Sequence, residues 1–307
     1  MNKKSRIYIA GHRGMVGSAI TRHLIILGYK NLITKSSDEL NLINQNQVNE
    51  FFIKYKPEYV FLAAAKVGGI VSNNTYGADF IYENIMIQSN VINASFKNKV
   101  KKLLFLGSSC IYPKNSINPI NEDSLLTGEL EKTNEAYSIA KISGLKMCEY
   151  YNKQYKTNYI SVMPTNLYGP NDNYDLQNSH VLPALLKKFH DAKINNIENV
   201  IVWGSGKPKR EFLHVDDLAE ACIFLICNYD ENKIINVGSQ KEISIIELAE
   251  LIKRIVGYEG NIIFDSSKPD GVMQKLMNSN KINKLGWNPK IPLDKGIRIT
   301  YHHSFKI

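Results

Sequence analysis

Arg6-Ile-Tyr-Ile-Ala10, followed at once by Gly11-His-Arg-Gly14-Met-Val-Gly17, is the stretch that decides the fold. A short apolar run ends at a glycine, as a buried strand does. Three glycines then recur at G-x-x-G-x-x-G spacing. From Met15 to Leu27 the apolar residues Val16, Ile20, Leu24 and Leu27 fall on one side of a helix. Strand, glycine turn and helix in that order form the front of a dinucleotide-binding unit. The glycines permit a tight turn and close backbone approach, and the helix N-terminus offers free N–H groups to a pyrophosphate.

Working outward, the chain keeps alternating. Strands are predicted at Asn31–Thr34, Glu58–Ala63, Lys102–Gly107 and Tyr159–Met163. Helices are predicted at Gln45–Tyr55, Gly77–Lys97 and Ala136–Tyr155. Such alternation implies right-handed crossovers and a parallel sheet covered on both faces. The fold class expected is α/β, a Rossmann-type doubly wound parallel sheet whose ligand lies beyond the carboxyl ends of the strands. After residue 165 the texture changes to turn-rich segments (166–173, 204–208, 266–271) and helices at His180–Ala192, Val215–Cys227 and Ser244–Val256. We therefore read residues 1–165 as the cofactor-binding domain. Residues 166–307 are read mainly as a smaller α/β substrate lobe that returns its last strands to the sheet.

Composition narrows the function. The 307 residues are 44% hydrophobic and 22% charged, which excludes a disordered or fibrous chain. Lys plus Arg number 38 against 29 Asp plus Glu, a net +9. The basic residues are scattered rather than gathered on one arm, which favours a small anionic ligand over a nucleic acid. Cys110, Cys148, Cys222 and Cys227 form no C-x-x-C pair and no metal-ligand spacing, so no metal is expected. Cys222 and Cys227 read as buried packing residues. No apolar run reaches the ~18 residues of a membrane span, and no leader-like apolar segment follows Met1. A cytoplasmic protein is expected.

Cofactor choice is read at the end of the second strand. An NAD site places an acid there to hold the ribose 2′-hydroxyl. Here the sequence is Thr34-Lys35-Ser36-Ser37, and Asp38 comes late. Lys35, with Arg13 inside the glycine turn, suits a 2′-phosphate, so NADP(H) is expected.

Tyr137-Ser-Ile-Ala-Lys141 places a phenol and an ammonium one helical turn apart on one face. The ammonium is expected to lower the phenol's pKa toward neutrality and make it a proton donor and acceptor. Ser108, at the end of the fourth strand, is placed to bond the same substrate oxygen. Glycine turn, Ser and Tyr-x-x-x-Lys in that order mark a short-chain dehydrogenase/reductase. If Ser108-Ser-Cys110 continues that strand, Cys110 faces the pocket beside Ser108. A pocket-facing thiol can act as a base as its thiolate, and His180 is a second group able to move protons near neutral pH.

At this point the chain resembles the GDP-L-fucose synthases, a family of extended short-chain dehydrogenases/reductases. The resemblance rests on Ala10–Ser18, Ala63–Ile70, Leu104–Pro113, Ser161–Pro170, Asn178–His180, Val202–Gly206, Arg210–Asp217 and Ser267–Gly271. It covers residues 6 to 290. It implies NADPH-dependent epimerisation at C3 and C5 and reduction at C4 of a GDP-4-keto-6-deoxy-hexose, giving GDP-L-fucose. By the same resemblance Ser108, Tyr137 and Lys141 carry the reduction, with Tyr137 protonating O4. Cys110 removes the C3 and C5 protons, and His180 returns protons from the opposite face. Gly11, Arg13, Gly14, Met15, Val16, Gly17, Lys35, Ala64, Lys141, Pro164 and His180 would hold the cofactor. Asn166, Lys188, Trp203, Arg210 and Lys275 would hold the GDP-sugar. The family's two long helices imply a homodimer.

The chain departs from the family pattern on the sugar side. Lys188 stands for the usual Arg, Val272-Met-Gln-Lys275 for Thr-Pro-Arg-Lys, and Asn278 for Asp. These departures keep open a C4 reductase of a related GDP-4-keto-6-deoxy sugar such as a heptose, with or without epimerisation. A more distant alternative is an epimerase or dehydratase that retains NAD. A non-catalytic cofactor- or nucleic-acid-binding protein is disfavoured, because Ser108, Tyr137 and Lys141 are all present.

Overall fold

The computed structural model describes residues 1–176, 179–268 and 270–306. The first half of the chain runs β1 (Ile7–Ala10), α1 (Met15–Ile26), β2 (Leu32–Ile33), α2 (Gln45–Tyr55), β3 (Tyr59–Leu62), α3 (Ile70–Thr75), α4 (Gly77–Lys97), β4 (Lys102–Leu106), α5 (Glu135–Tyr155) and β5 (Tyr159–Pro164). The second half adds β6 (Asn166–Tyr168), α6 (Val181–Ile194), β7 (Asn199–Trp203), β8 (Lys209–His214), α7 (Val215–Asn228), β9 (Ile235–Val237), β10 (Glu242–Ser244), α8 (Ile245–Val256), β11 (Asn261–Asp265), β12 (Gln274–Lys275), α9 (Asn280–Lys284) and α10 (Leu293–Phe305).

Six strands form one parallel sheet in the order β2-β1-β3-β4-β5-β9. The chain leaves β1 for β2 on one side, then crosses back to β3 on the other. That reversal opens a crevice beyond the ends of β1 and β3. Alternation along β1 is strict: Ile7 and Ile9 join the core beneath α1 and α7, while Tyr8 and Ala10 join the core beneath α2, α4 and α5. Strands covered on both faces need apolar residues at every position, which is why the run Ile7–Ala10 lacks polar alternation. The doubly wound α/β architecture expected from the sequence is present.

β9 pairs with β5, and α7 shares the core of α1, so residues beyond 166 help build the main sheet body. A third core joins Leu182, Leu186 and Phe189 of α6 to Leu248 and Ile252 of α8 and to Tyr301 of α10. Over it lie β8, flanked by antiparallel β10 and parallel β12 and also paired with β6, and the separate β7–β11 ribbon.

Glu211 of β8 fastens these parts. Its fully buried carboxylate accepts the N–H of Gln240, just past β9, at 2.6 Å and that of Met277, just past β12, at 2.9 Å. A Cβ on Gly238 would lie 2.3 Å from the same carboxylate, so only glycine fits there.

Cys222 is buried as expected, but Cys227 is exposed. Five residues further along α7, it has rotated about 140° from Cys222 and left the core face.

Candidate active site

The glycine turn is built by steric necessity at two positions. Gly11 has φ +84°, and a Cβ there would sit 2.8 Å from the Ala64 backbone nitrogen, so β1 and β3 can end this close together only without a side chain. A Cβ on Gly17 would lie 2.1 Å from the Gly11 carbonyl oxygen. Gly14 differs. Its φ is −73°, and a Cβ would only touch the Gly11 oxygen at 3.5 Å. Nothing inside the chain requires glycine at 14, which leaves open space beside the turn.

Gly14 is also the N-cap of α1, where no side chain caps the helix and no acid occupies the first turn. The free N–H groups and the dipole's positive end suit a pyrophosphate. Met15 and Val16 form that first turn, and Arg13 is exposed beside it. Lys35 follows β2 and pairs with Glu39 at 2.8 Å. Pro164 ends β5 against Val237. This donor set fits a phosphate-bearing dinucleotide.

Past the sheet ends lies one cavity of about 420 Å³. Ser108, Cys110, Tyr137 and His180 line it, and so do Asn166, Lys188, Trp203, Arg210 and Lys275. Four expected catalytic side chains and all five expected sugar-side residues therefore share one enclosure. Asn178 and Pro269, in two of the motifs singled out above, lie outside the described residues.

Tyr137 and Lys141 are set by α5, which packs along α4. Gln88 of α4 donates to the Ala140 carbonyl at 2.5 Å and to Ser143 at 2.8 Å, and Gly144 leaves it room. Lys141 is buried behind the cavity wall. Its Nζ donates to the Leu106 carbonyl at 2.8 Å and lies 5.7 Å from the Tyr137 ring centroid. Burial lowers its pKa from 10.5 to about 8.

The expected acidification of Tyr137 is not what the structure gives. Burial raises the phenol's pKa and the neighbouring Cys110 adds to the rise, while the hydrogen bond with Ser108 opposes them. Desolvation of the phenolate outweighs that bond. Near neutral pH Tyr137 is therefore a protonated acid.

The path to Cys110 also differs from expectation. β4 ends at Leu106, and Ser109–Ile111 forms a single 3₁₀ turn rather than more strand. The Ser108 Oγ caps that turn by accepting the Cys110 N–H at 3.2 Å, and the turn delivers Cys110 to the cavity wall. The Cys110 Sγ accepts a hydrogen bond from Asn134 Nδ2 at 3.4 Å. His180 is the N-cap of α6 and opens onto the cavity. The protein around its ring lowers its pKa.

On the far wall Trp203 ends β7 with 53% of its surface exposed, so it is not a core residue. Lys188 Nζ and Lys268 Nζ lie 5.2 and 5.8 Å from its ring, and Lys188 also donates to the Ile201 carbonyl at 2.9 Å. Asn166 Nδ2 donates to the Glu211 carbonyl at 2.8 Å. Burial lowers the Arg210 pKa, and Asp270 opposes this.

Sequence reasoning missed Asp270, Lys268 and Asn134. Asp270 accepts the Ser205 N–H at 2.6 Å and the Ser205 hydroxyl at 2.8 Å, which ties the turn after β7 to the segment between β11 and β12. Gly204, at φ +83°, leaves room for that carboxylate. The glycines of Gly204-Ser-Gly206 were the legible signal for this tie.

The chain belongs to the NAD dependent epimerase/dehydratase family, whose model matches residues 7–238. It is 57% identical over 301 residues to the putative GDP-L-fucose synthase 2 of Arabidopsis thaliana, covering 98% of this chain and 92% of that one. It is 54% identical to the GDP-L-fucose synthase of Escherichia coli K12, covering 97% and 96%. Among solved structures it is similar to MlghC, a GDP-mannoheptose C4 reductase of Campylobacter jejuni with NADP bound. That match has 45% identity, a TM-score of 0.93 and full coverage of both chains.

Proposed function

We propose that this chain is an NADPH-dependent nucleotide-sugar epimerase/reductase that converts GDP-4-keto-6-deoxy-mannose to GDP-L-fucose. One observation carries the reading: Ser108, Cys110, Tyr137 and His180 face the same cavity as Lys188, Trp203 and Arg210. Residues 1–165 hold the cofactor, and residues 166–307 hold mainly the nucleotide sugar.

The substrate's own C4 ketone makes its C3 and C5 protons acidic. Cys110 as thiolate takes such a proton, forming S–H, while the C–H electron pair passes to O4 as an enolate. Ser108 and Tyr137 donate hydrogen bonds to that oxygen. Inversion needs a proton returned to the opposite face, which is the role of His180. Bound NADPH supplies hydride to C4. Tyr137, protonated near neutral pH, gives its proton to O4, and Lys141 behind it offsets the phenolate left. Arg210, Lys188 and Lys275 meet the diphosphate, and Trp203 meets the base. Arg13 and Lys35 meet the 2′-phosphate, with Lys35 shared between it and Glu39.

A C4 reductase of a GDP-heptose is the second reading. The likeness to MlghC and the residues Lys188 and Asn278 favour it, and Asn278 here bonds Asn121 at 2.7 Å. The test is NADPH oxidation with GDP-4-keto-6-deoxy-mannose, with NMR of the product made in D₂O. Oxidation with deuterium at both C3 and C5 and an L-fucose product supports the first reading. Oxidation without exchange, or with the heptose analogue alone, replaces it with the second.

A cytoplasmic homodimer built on α4 and α5 completes the proposal. Tyr82 on α4 and Tyr150 on α5 are each 59% exposed. No helix among the described residues is long and apolar enough to cross a membrane. A one-chain mass in sedimentation would remove the dimer.

A further inference from the structure

Asn134 sits at the N-cap of α5, where an asparagine side chain normally accepts a backbone N–H of the first turn. Here it makes no such bond. Its amide turns instead toward the 3₁₀ turn after β4 and donates to Cys110 Sγ at 3.4 Å. The amide is itself held. The single Ser138 O–H, one turn along α5, is shared among the Cys110 carbonyl at 2.9 Å, the Asn134 carbonyl at 3.0 Å and Asn134 Oδ1 at 3.3 Å. With the oxygen end of the amide turned to Ser138, the NH₂ end is left to the sulfur. Asn134 and Cys110 both line the cavity.

The other titratable groups on that wall are occupied or unsuited. Lys114 pairs with Glu129 at 2.9 Å. Glu131 accepts the Thr133 N–H and hydroxyl at 3.3 and 3.2 Å. Tyr137, beside Ser108 and Cys110, is protonated near neutral pH and carries no positive charge, and its surroundings lower the pKa of His180. The donor at the sulfur is thus a neutral amide, which stabilises a thiolate by hydrogen bonding without tying it in an ion pair.

We infer that Asn134 is the positioning residue of the epimerisation: it holds Cys110 Sγ toward the cavity and favours its thiolate. This rests on the epimerase reading above. A donated bond to an anion is worth about a tenfold change, or about one pKa unit. The test compares the full-length protein with Asn134→Ala and the isosteric Asn134→Asp, which replaces the donor by an acceptor without changing shape. Two quantities are read: the pH dependence of Cys110 alkylation by iodoacetamide, resolved by peptide mass, and the pH dependence of deuterium exchange at C3 and C5.

Asn134→Ala should move the alkylation midpoint up by about one unit and slow exchange about tenfold at pH 7, with recovery at higher pH. Asn134→Asp should move it further. An unmoved midpoint in Asn134→Asp, or exchange lost equally at every pH, overturns the proposal and makes Asn134 merely structural. A shifted midpoint with no exchange in the unmodified enzyme overturns the epimerase reading instead and leaves the sulfur–amide pairing standing.

Discussion

Lys141 is the residue whose environment says most about the chemistry. A buried ammonium with a pKa near 8 is charged at pH 7 and loses its charge as the pH rises through 8. The reduction rate should therefore fall on the alkaline side with a midpoint near 8, measurable as a pH profile of NADPH oxidation. Stability moves the other way. The folded state holds this proton less tightly than the unfolded chain, so between about pH 8 and 10.5 the unfolded chain binds more protons and stability rises with pH. Below pH 8 the cost of the buried charge is carried in full. Lys141→Met should then lower reduction by about a hundredfold or more without lowering the melting temperature at pH 7. A large fall in melting temperature would count against a buried ammonium. The spacing of Tyr137 and Lys141 was legible because four residues make one turn in any helix. The sign of the Tyr137 shift was not, because desolvation depends on how much of the chain closes over the ring. Asn134 was invisible for a related reason: its partner arrives from 24 residues earlier, through a turn whose 3₁₀ shape has no periodic signature.

At the scale of elements, the glycine turn separates what the fold needs from what the ligand needs. Gly17→Ala drives a Cβ into the Gly11 carbonyl and should cost about 2 kcal/mol or more of stability. Gly14→Ala meets no such clash, so it should leave the unfolding midpoint nearly unchanged while weakening NADPH binding about tenfold or more. Thermal melts and a fluorescence titration with NADPH would distinguish the two, and equal destabilisation would refute the distinction. The long elements α4 and α5 could be read from the sequence to within a residue, because each carries several turns of apolar period. The strands of the outer lobe could not. β10 and β12 are three and two residues long, and their partner β8 lies 31 and 65 residues away in register, at Glu242↔Glu211 and Gln274↔Lys209. Pairing that distant leaves no local pattern.

Across the whole molecule, Glu211 is the point where the sheet body and the outer lobe are joined. Glu211→Gln would set an amide donor against N–H groups that now meet a carboxylate. The expected result is a loss of about 2 kcal/mol in denaturant unfolding. A raised KM for the nucleotide sugar should accompany it, since Arg210 is the next residue and Asn166 bonds the Glu211 carbonyl. An unchanged unfolding midpoint would show that the lobe is held by packing alone. The sequence motif around Arg210 marked this region, but the fastening became visible only when β9 and β12 were seen to end beside it. Trp203 carries a different consequence. The chain has two tryptophans, and the other, Trp287, is only 3% exposed. Excitation of the indoles should thus give a red-shifted emission from the cavity wall over a blue-shifted one from the interior. Adding GDP should quench the red component alone, and Trp203→Phe should abolish the response. The protein carries its own optical reporter of an occupied sugar-nucleotide site, readable without label, cofactor or turnover.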